Sequence, residues 1–454
     1  MRFMPTSRSA RATSLTLAAM SLGFGVVQLD VTIVNTALGA ISGSLGGGVS
    51  MLQWVVSSYT IAFAALILTA GALGDRLGAR SMFMSGFALF TAASIACAMA
   101  PTPASLIAAR VVQGIGAAVL VPNSLALLNH AYPDSTQRGS AVGIWAAGAS
   151  LALTAGPLVG GVLIALQGWR SIFLVNVPIG LIGLWLTWCY AKETARSPER
   201  EIDLVGQLTA IAALTCLTGT LIEGGALGWG SHWVQAGFAA FAALTAGFII
   251  SERRSREPML PLLLFREPMF ALTSIVGLLA NAAFYGLIFV LSLYFQQLHG
   301  FSPLRTGLAF LPMMAMVLPM NLLAAHITAQ WGTATTIAAG AVIAAAGCLM
   351  LSGIESGTAY WALCAQLMAM GAGLGLLVPP LTSALLGSVD KAHSGVAAGV
   401  LNSTRQIGSV LGVALFGSLV AQQSAFIAGA RVSLIVSTIL LLTAAAAIMV
   451  GSRR

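Results

Sequence analysis

The sequence predicts an all-α polytopic membrane protein, and three observations carry that prediction. Of the 454 residues, 58% are hydrophobic and only 7% charged, with a mean hydropathy of +0.92; soluble domains carry about 25% charged residues. Apolar stretches long enough to cross a bilayer, roughly 20 residues each, recur along the whole chain. The basic residues gather in alternate connecting segments, the asymmetry expected of cytoplasmic loops. A formal charge of +8 therefore reads as membrane topology, not as a nucleic-acid surface.

Taken in order, the apolar windows place roughly fourteen spans near 15–38, 51–73, 81–99, 104–129, 139–165, 172–190, 204–222, 233–250, 270–295, 305–328, 333–352, 358–382, 394–420 and 432–450. The first follows Arg2, Arg8 and Arg11 as a secretory leader would. It is too long for a leader's apolar region, carries Asp30 and precedes no cleavage signal, so it is expected to stay as a membrane helix. With the amino terminus inside, most of the 21 Lys and Arg fall in the cytoplasm. Arg170, Arg305 and Arg431 fall outside, while Arg110 and Arg405 lie within spans. Both termini are then cytoplasmic.

Two polar stretches, KETARSPEREID from 191 and SERRSREPMLPLLLFREP from 251, flank two spans and leave six on either side. This predicts a six-helix bundle over 1–190, linkers with two additional helices over 191–268, and a second six-helix bundle over 269–454. Transporters are often built from such repeats, with substrate bound near the midplane between them. The 50 glycines suit close helix packing in lipid. Cys97, Cys189, Cys216, Cys348 and Cys364 sit in apolar stretches without metal-ligand spacing and read as packing residues.

Asp30, in LDVTIVNTAL, reads as the one carboxylate well inside an apolar span. A charge there costs roughly 2.5 kcal/mol or more, so it is retained for a partner or a proton. Arg110, in LIAARVVQGIGAA of the fourth span, is the natural partner. The two residues lie roughly 12 and 9 Å from the outer ends of their helices at 1.5 Å per residue, one level in the membrane. A carboxylate held ionised by arginine and neutralised when that partner leaves is a proton carrier; a static ion pair is the alternative. GALGDRLGARSMF, after the second span, offers Gly71, Gly74 and Gly78 for a tight turn, with Asp75, Arg76 and Arg80 for ionic latches. A purely topology-setting basic loop is the other reading. GASLALTAGPLVGGVL, in the fifth span, gives a smooth face of Gly148, Gly156, Gly160 and Gly161 around Pro157, which permits a kink or serves packing alone.

In this order, the three strings resemble the major facilitator superfamily over essentially the whole chain. GALGDRLGARSMF is similar to its signature loop, with Ala79 in place of the usual basic residue and Gly74 in place of a common alanine. ARVVQGIGAA is similar to its proton-transfer arginine motif, and Gly148 to Gly161 to its antiporter motif. LDVTIVNTAL, QWVVSSYTI and WRSIFLVNVPIG, with the extra central pair, resemble the fourteen-span drug:proton antiporters of the EmrB/QacA type. LIEGGALGW, LFREPMF and NSTRQIGSVLG are most similar to methylenomycin-resistance-type members. The resemblance implies the major facilitator fold and a proton-coupled antiporter that exports lipophilic drugs or metabolites by alternating access. A uniporter or uptake symporter of the same fold is the alternative. It also implies that Asp30 and Arg110 couple protons, that the Gly78 loop gates on the cytoplasmic side, and that Gly156 and Pro157 let the fifth helix bend while blocking leak.

In the second half, Arg405 falls near mid-membrane with Asn402 and Gln406 beside it on one helix face. The three are substrate-side candidates or interhelical locks. Asn35, Gln113, Asn281, Tyr285 and Asn321 are further cavity candidates. Met313, Met314, Met316 and Met320 read as an adaptable pocket lining or as gap-fillers. His130, His232, His299, His326 and His393 form no metal constellation. No GxxxxGK[ST] loop is present, so no cofactor is expected and a proton gradient is the energy source. The expected partners are a small lipophilic substrate, neutral or anionic, together with protons and membrane lipids. Nucleic acid is excluded and a monomer is expected. The acidic groups Glu193, Glu199, Glu201 and Asp203, interleaved with bases, read as a solvated loop rather than an enzyme site. Abundant Ala, Gly and Arg beside few Lys point to a bacterial cytoplasmic membrane.

Overall fold

Helices follow one another with short connections, and the turns between them fall where the sequence supplies glycine or a capping group. A computed structural model of the chain describes residues 7–196, 203–255, 258–260, 262–355, 357–389 and 394–452. Arg2, Glu199, Glu201 and His393 lie outside them. The first half comprises α1 (Ser7–Leu45), α2 (Val49–Leu77), α3 (Ala79–Met99), α4 (Pro103–Ala131), α5 (Ser135–Gln167), α6 (Ser171–Leu174) and α7 (Asn176–Tyr190). Next come α8 (Leu204–Leu227) and α9 (His232–Arg254). The second half comprises α10 (Pro268–Leu293), α11 (Pro303–Ala309), α12 (Leu311–Trp331), α13 (Thr333–Leu351), α14 (Tyr360–Gly387), α15 (Ser394–Leu419) and α16 (Phe426–Gly451). Among the described residues there is no strand.

Gly46 and Gly47, at φ +74° and +97°, turn the chain from α1 into α2. At α4, Thr102 and Ser105 cap each other's backbone and Pro103 opens the helix, which satisfies otherwise orphaned N–H groups. Thirteen helical stretches among the described residues are long and apolar enough to cross a membrane, with α6 and α7, and α11 and α12, each acting as one. α15 matches them in length, at 26 residues, but the polar run from Asn402 to Gln406 lowers its apolarity. That run suits an interior position rather than lipid.

The two halves form separate bundles. In the first, α1 packs on α5, α7 and α4, while α4 also packs on α2 and α3. In the second, α10 packs on α15, α16 and α14, and α14 on α12 and α13. Small residues permit this: a Cβ on Gly114 of α4 would overlap the carbonyl oxygen of Tyr59 in α2. The bundles meet through α2 with α15, α5 with α11 and α12, and α1 with α10 and α11. The α8–α9 pair rests through α8 on α2 and α15, and thus covers one seam. Only Val234 and Glu252 of α9 are buried, which leaves this helix as an outer layer.

Three expectations need correction. α8 runs to Leu227, beyond the window ending at 222, so Glu223 lies within the helix. Glu252, near the C-terminal end of α9, is only 3% exposed and accepts the Leu260 N–H at 3.0 Å. Asp30 is thus joined by a second buried carboxylate, which hydropathy windows trimmed away with the polar helix end. Glu193 is also not simply solvated. Its carboxylate accepts the N–H groups of Arg80 (2.8 Å) and Ser81 (3.1 Å) and the Ser81 hydroxyl (2.6 Å) at the start of α3.

Candidate functional site

Four elements converge on Asp30. α1 brings the aspartate, α4 brings Arg110 and Gln113, α3 brings Ser94, and the start of α7 brings Asn176. All five are essentially sealed from solvent, with exposures of 0 to 1%. Arg110 Nη1 pairs with Asp30 Oδ2. Gln113 Nε2 donates to Asp30 Oδ1 at 2.8 Å, and Asn176 Nδ2 donates to the same oxygen at 3.2 Å. Both amides also reach Ser94 Oγ, at 2.9 and 3.3 Å. Arg110 is held further by Gln113 Oε1 (2.7 Å) and, through Nε, by the Val55 carbonyl of α2 (3.2 Å). Its guanidinium stacks over the Tyr59 ring, 4.2 Å from the centroid. A buried charge pair is tolerable only when its remaining donors and acceptors are engaged in this way.

Gln113, expected in the substrate cavity, is therefore a ligand of the ion pair. Ser94, Asn176 and Tyr59 were not picked out from the sequence as site residues. Asn176 had a signal, a lone amide in the apolar string WRSIFLVNVPIG, but its partner could not be read because α6 and α7 join through an irregular break. Cys97, expected only to pack, also approaches Gln113 Oε1 at 3.6 Å.

The glycines of α5 face α1 and the opposite bundle. A Cβ on Gly156 would overlap Thr32 Oγ1, and one on Gly160 would overlap Thr36 Oγ1. A Cβ on Gly161 would stand 2.8 Å from Leu304 Cα in α11. A Cβ on Gly148 would meet α1 only at ordinary contact distance, 3.7 Å from Ser21 Cβ. Pro157 lies inside an uninterrupted α5, and its carbonyl oxygen abuts Gly307 of α11.

In the loop between α2 and α3, Gly78 adopts φ +102°, a region open chiefly to glycine. A Cβ there would also lie 2.6 Å from the Glu193 carboxyl. Arg80 Nη2 donates to the Trp188 carbonyl at 2.9 Å, and Thr194 Oγ1 accepts the Ala79 N–H at 2.9 Å. These bonds tie the loop to the end of α7 and to the segment after it, within its own bundle. Gly74 is packed against the Asn123 side chain, a Cβ on Gly71 would lie 3.5 Å from Pro122 Cβ, and Arg76 is exposed. Partial burial pushes the Glu193 carboxyl up. The hydrogen bonds from the Ser81 hydroxyl and from the Arg80, Thr194 and Ser81 N–H groups outweigh it and hold the group below the usual carboxylate range.

On the second-half side, α10 and α15 bring Asn281, Tyr285, Asn402, Arg405 and Gln406 into one region. A Cβ on Gly408 would stand 3.2 Å from Asn281 Cβ, and Tyr285 lies within electrostatic reach of Arg405. Asn281 and Asn402 donate to carbonyls one turn back, at 2.7 and 2.9 Å. Gln406 Oε1 and Asn321 Oδ1 are buried without a hydrogen-bond partner. Among the described residues, Arg405 has no ion-pair partner. Asn321 stands apart on α12. Asn35 lies in the seam between bundles, where its carbonyl accepts from Ser292 and Gln296 of the α10 end. Gly371 of α14 packs against the Met313 backbone, and Gly375 against the Val317 backbone and Met320 Cβ. No cluster of three or more His, Cys, Asp or Glu among the described residues could hold a metal ion.

A family model described as Major Facilitator Superfamily matches residues 20–413. The chain belongs to this superfamily. It is 38% identical over 417 residues to the methylenomycin A resistance protein of Streptomyces coelicolor, covering 92% of this chain and 88% of that protein. It is 39% identical over 411 residues to the multidrug resistance protein Stp of Mycobacterium tuberculosis, covering 90% and 76%. In fold it is similar to a bacterial homolog of the human lysosomal transporter Spinster, with a TM-score of 0.69, 17% identity and 97% of each chain covered. This major facilitator protein is thus a multi-pass membrane transporter, not an enzyme.

Proposed function

We propose that this transporter is a proton-coupled antiporter that exports small lipophilic compounds from the bacterial cytoplasm by alternating access. The reading rests on one observation, the sealed Asp30 site. Its carboxylate is held by one cation and two amides, and each comes from a different helix than its own. Protonation removes the reason for Arg110 to stay with α1, while the Val55 carbonyl and the Tyr59 ring keep it on α2. One proton thereby changes which helices are tied together, which is what a coupling site must do. Substrate export and proton entry exclude each other when each favours a different arrangement.

The polar region of α10 and α15 supports neutral or anionic substrates. Arg405 supplies an unneutralised cation, and the adjacent Gln406 Oε1 an acceptor for substrate N–H or O–H groups. Resistance and multidrug export in the relatives' names fit the same reading. The test is drug-triggered proton movement in inverted membrane vesicles. Substrate added to vesicles acidified inside is expected to collapse the pH gradient. A gradient that survives saturating substrate, with drug uptake still proceeding, would replace the antiporter with a uniporter.

A further inference from the structure

Two glutamines bind the backbone of the opposite bundle in matching ways. Gln53 of α2 is fully buried, and its Nε2 donates to the carbonyls of Val413 (3.1 Å) and Ala414 (2.7 Å) in α15. It seats on Gly417, where a Cβ would overlap the amide. Gln296, in the turn ending α10, reaches the other way. Its Oε1 accepts the Gly39 N–H of α1 at 2.8 Å, and its Nε2 donates to the Asn35 carbonyl at 3.3 Å. Those two groups are four residues apart, the spacing at which a helix bonds to itself. Here too a glycine receives the amide, since a Cβ on Gly39 would stand 2.5 Å from Gln296 Oε1. Beyond them lies an outer cavity of about 630 Å³, lined in part by Gly39, Ser42, Gln296, Val420 and Ala421.

We propose that Gln53 and Gln296 are paired latches of the extracellular gate, each holding one bundle to a glycine of the other and released when Asp30 changes its protonation state. This rests on the alternating-access reading above. The helices that meet at the ion pair carry one side of each latch, Gln53 on α2 and the Asn35–Gly39 turn on α1. Gln53 is two residues from Val55, which binds Arg110, and Asn35 is five residues from Asp30, about 7.5 Å along α1. Amides suit a gate that opens every cycle, because bonds to carbonyls exchange for bonds to water with little net change. Gln53 Oε1 is buried with no partner, so entering water would gain a bond there as the gate opens.

The test is hydrogen exchange on the full chain in lipid nanodiscs, comparing wild type with Gln53→Ala and Gln296→Ala. Each substitution removes two hydrogen bonds across the seam, so exchange over residues 36–45 and 413–420 is expected to rise about tenfold. The cytoplasmic ends, including 74–82, should be unchanged. Gly417→Ala, which displaces the Gln53 amide from the other side, should reproduce the pattern with Gln53 intact. Gln53→Leu should match Gln53→Ala, because it fills much of the same space without a donor for the carbonyls. Wild-type exchange in all four variants would overturn the proposal, as would a rise spread evenly over both ends. The readout needs neither substrate nor proton gradient. A protein with working latches but no drug-triggered proton movement would defeat the antiporter reading alone.

Discussion

Replacing Gly156 with alanine tests the packing that places Asp30. The added Cβ would overlap Thr32 Oγ1 and lie 3.0 Å from Thr32 Cβ and 3.2 Å from the Ile33 nitrogen. Thr32 cannot turn away without loss, because its hydroxyl donates to the Leu153 carbonyl of α5 at 2.9 Å. Either α1 and α5 separate or that bond breaks. Overpacking of this kind costs about 1–3 kcal/mol, and the bond a further ~1 kcal/mol. Thr32→Ala removes the colliding oxygen and leaves the closest remaining approach at the tight but tolerable 3.0 Å. The double variant should therefore be more stable than the sum of the single losses by at least ~1 kcal/mol, a coupling expected only of residues in contact. Thermal unfolding in detergent, followed by loss of the monodisperse species, reads each member of the cycle. Gly156→Ala should also lose transport, since Asp30 is two residues from the displaced contact. Strictly additive losses, or a Gly156→Ala protein as stable as wild type, would refute the reasoning.

Further outcomes follow from the other sites. Glu193→Gln removes the charged cap from α3 and should cost about 1 kcal/mol. The folded carboxyl sits below its ordinary value, so its contribution is full above the unfolded pKa and disappears as pH falls through the folded one. The gap between wild-type and variant unfolding temperatures should be open at pH 7 and close only as the pH falls below the ordinary carboxylate range. Arg405→Gln should lower kcat/KM for anionic compounds by roughly 10-fold or more, the worth of a charge-assisted hydrogen bond. Neutral compounds should change by only a few fold. Equal losses for both classes in a substrate panel would remove Arg405 from recognition.

Much of the fold was legible because the bilayer imposes it. A chain that must satisfy its backbone in lipid shows its helices as long apolar runs, and only the ends were misplaced, as at Glu223 and Glu252. The meeting of Asp30 with Arg110 could be read because helical rise is fixed, so residue counts convert to depth. The rest had no such ruler. Gln53 and Gln296 bind backbone groups, which leave no side-chain signature in the partner sequence. Glu193 resembled a solvated residue because a capping carboxylate and a loop carboxylate have the same polar neighbours. Asn35 and Gln113 looked like cavity residues because polarity in an apolar span does not tell which neighbour satisfies it.

The central claim is that Asp30 carries the coupled proton, and Asp30→Asn in proteoliposomes tests it most directly. Asparagine keeps the shape and can still accept from Arg110, Gln113 or Asn176, but it does not titrate. The account predicts that a pH gradient no longer drives drug accumulation in the variant, while counterflow of labelled against unlabelled drug persists at equal pH. Gradient-driven accumulation at the wild-type level by Asp30→Asn would contradict it.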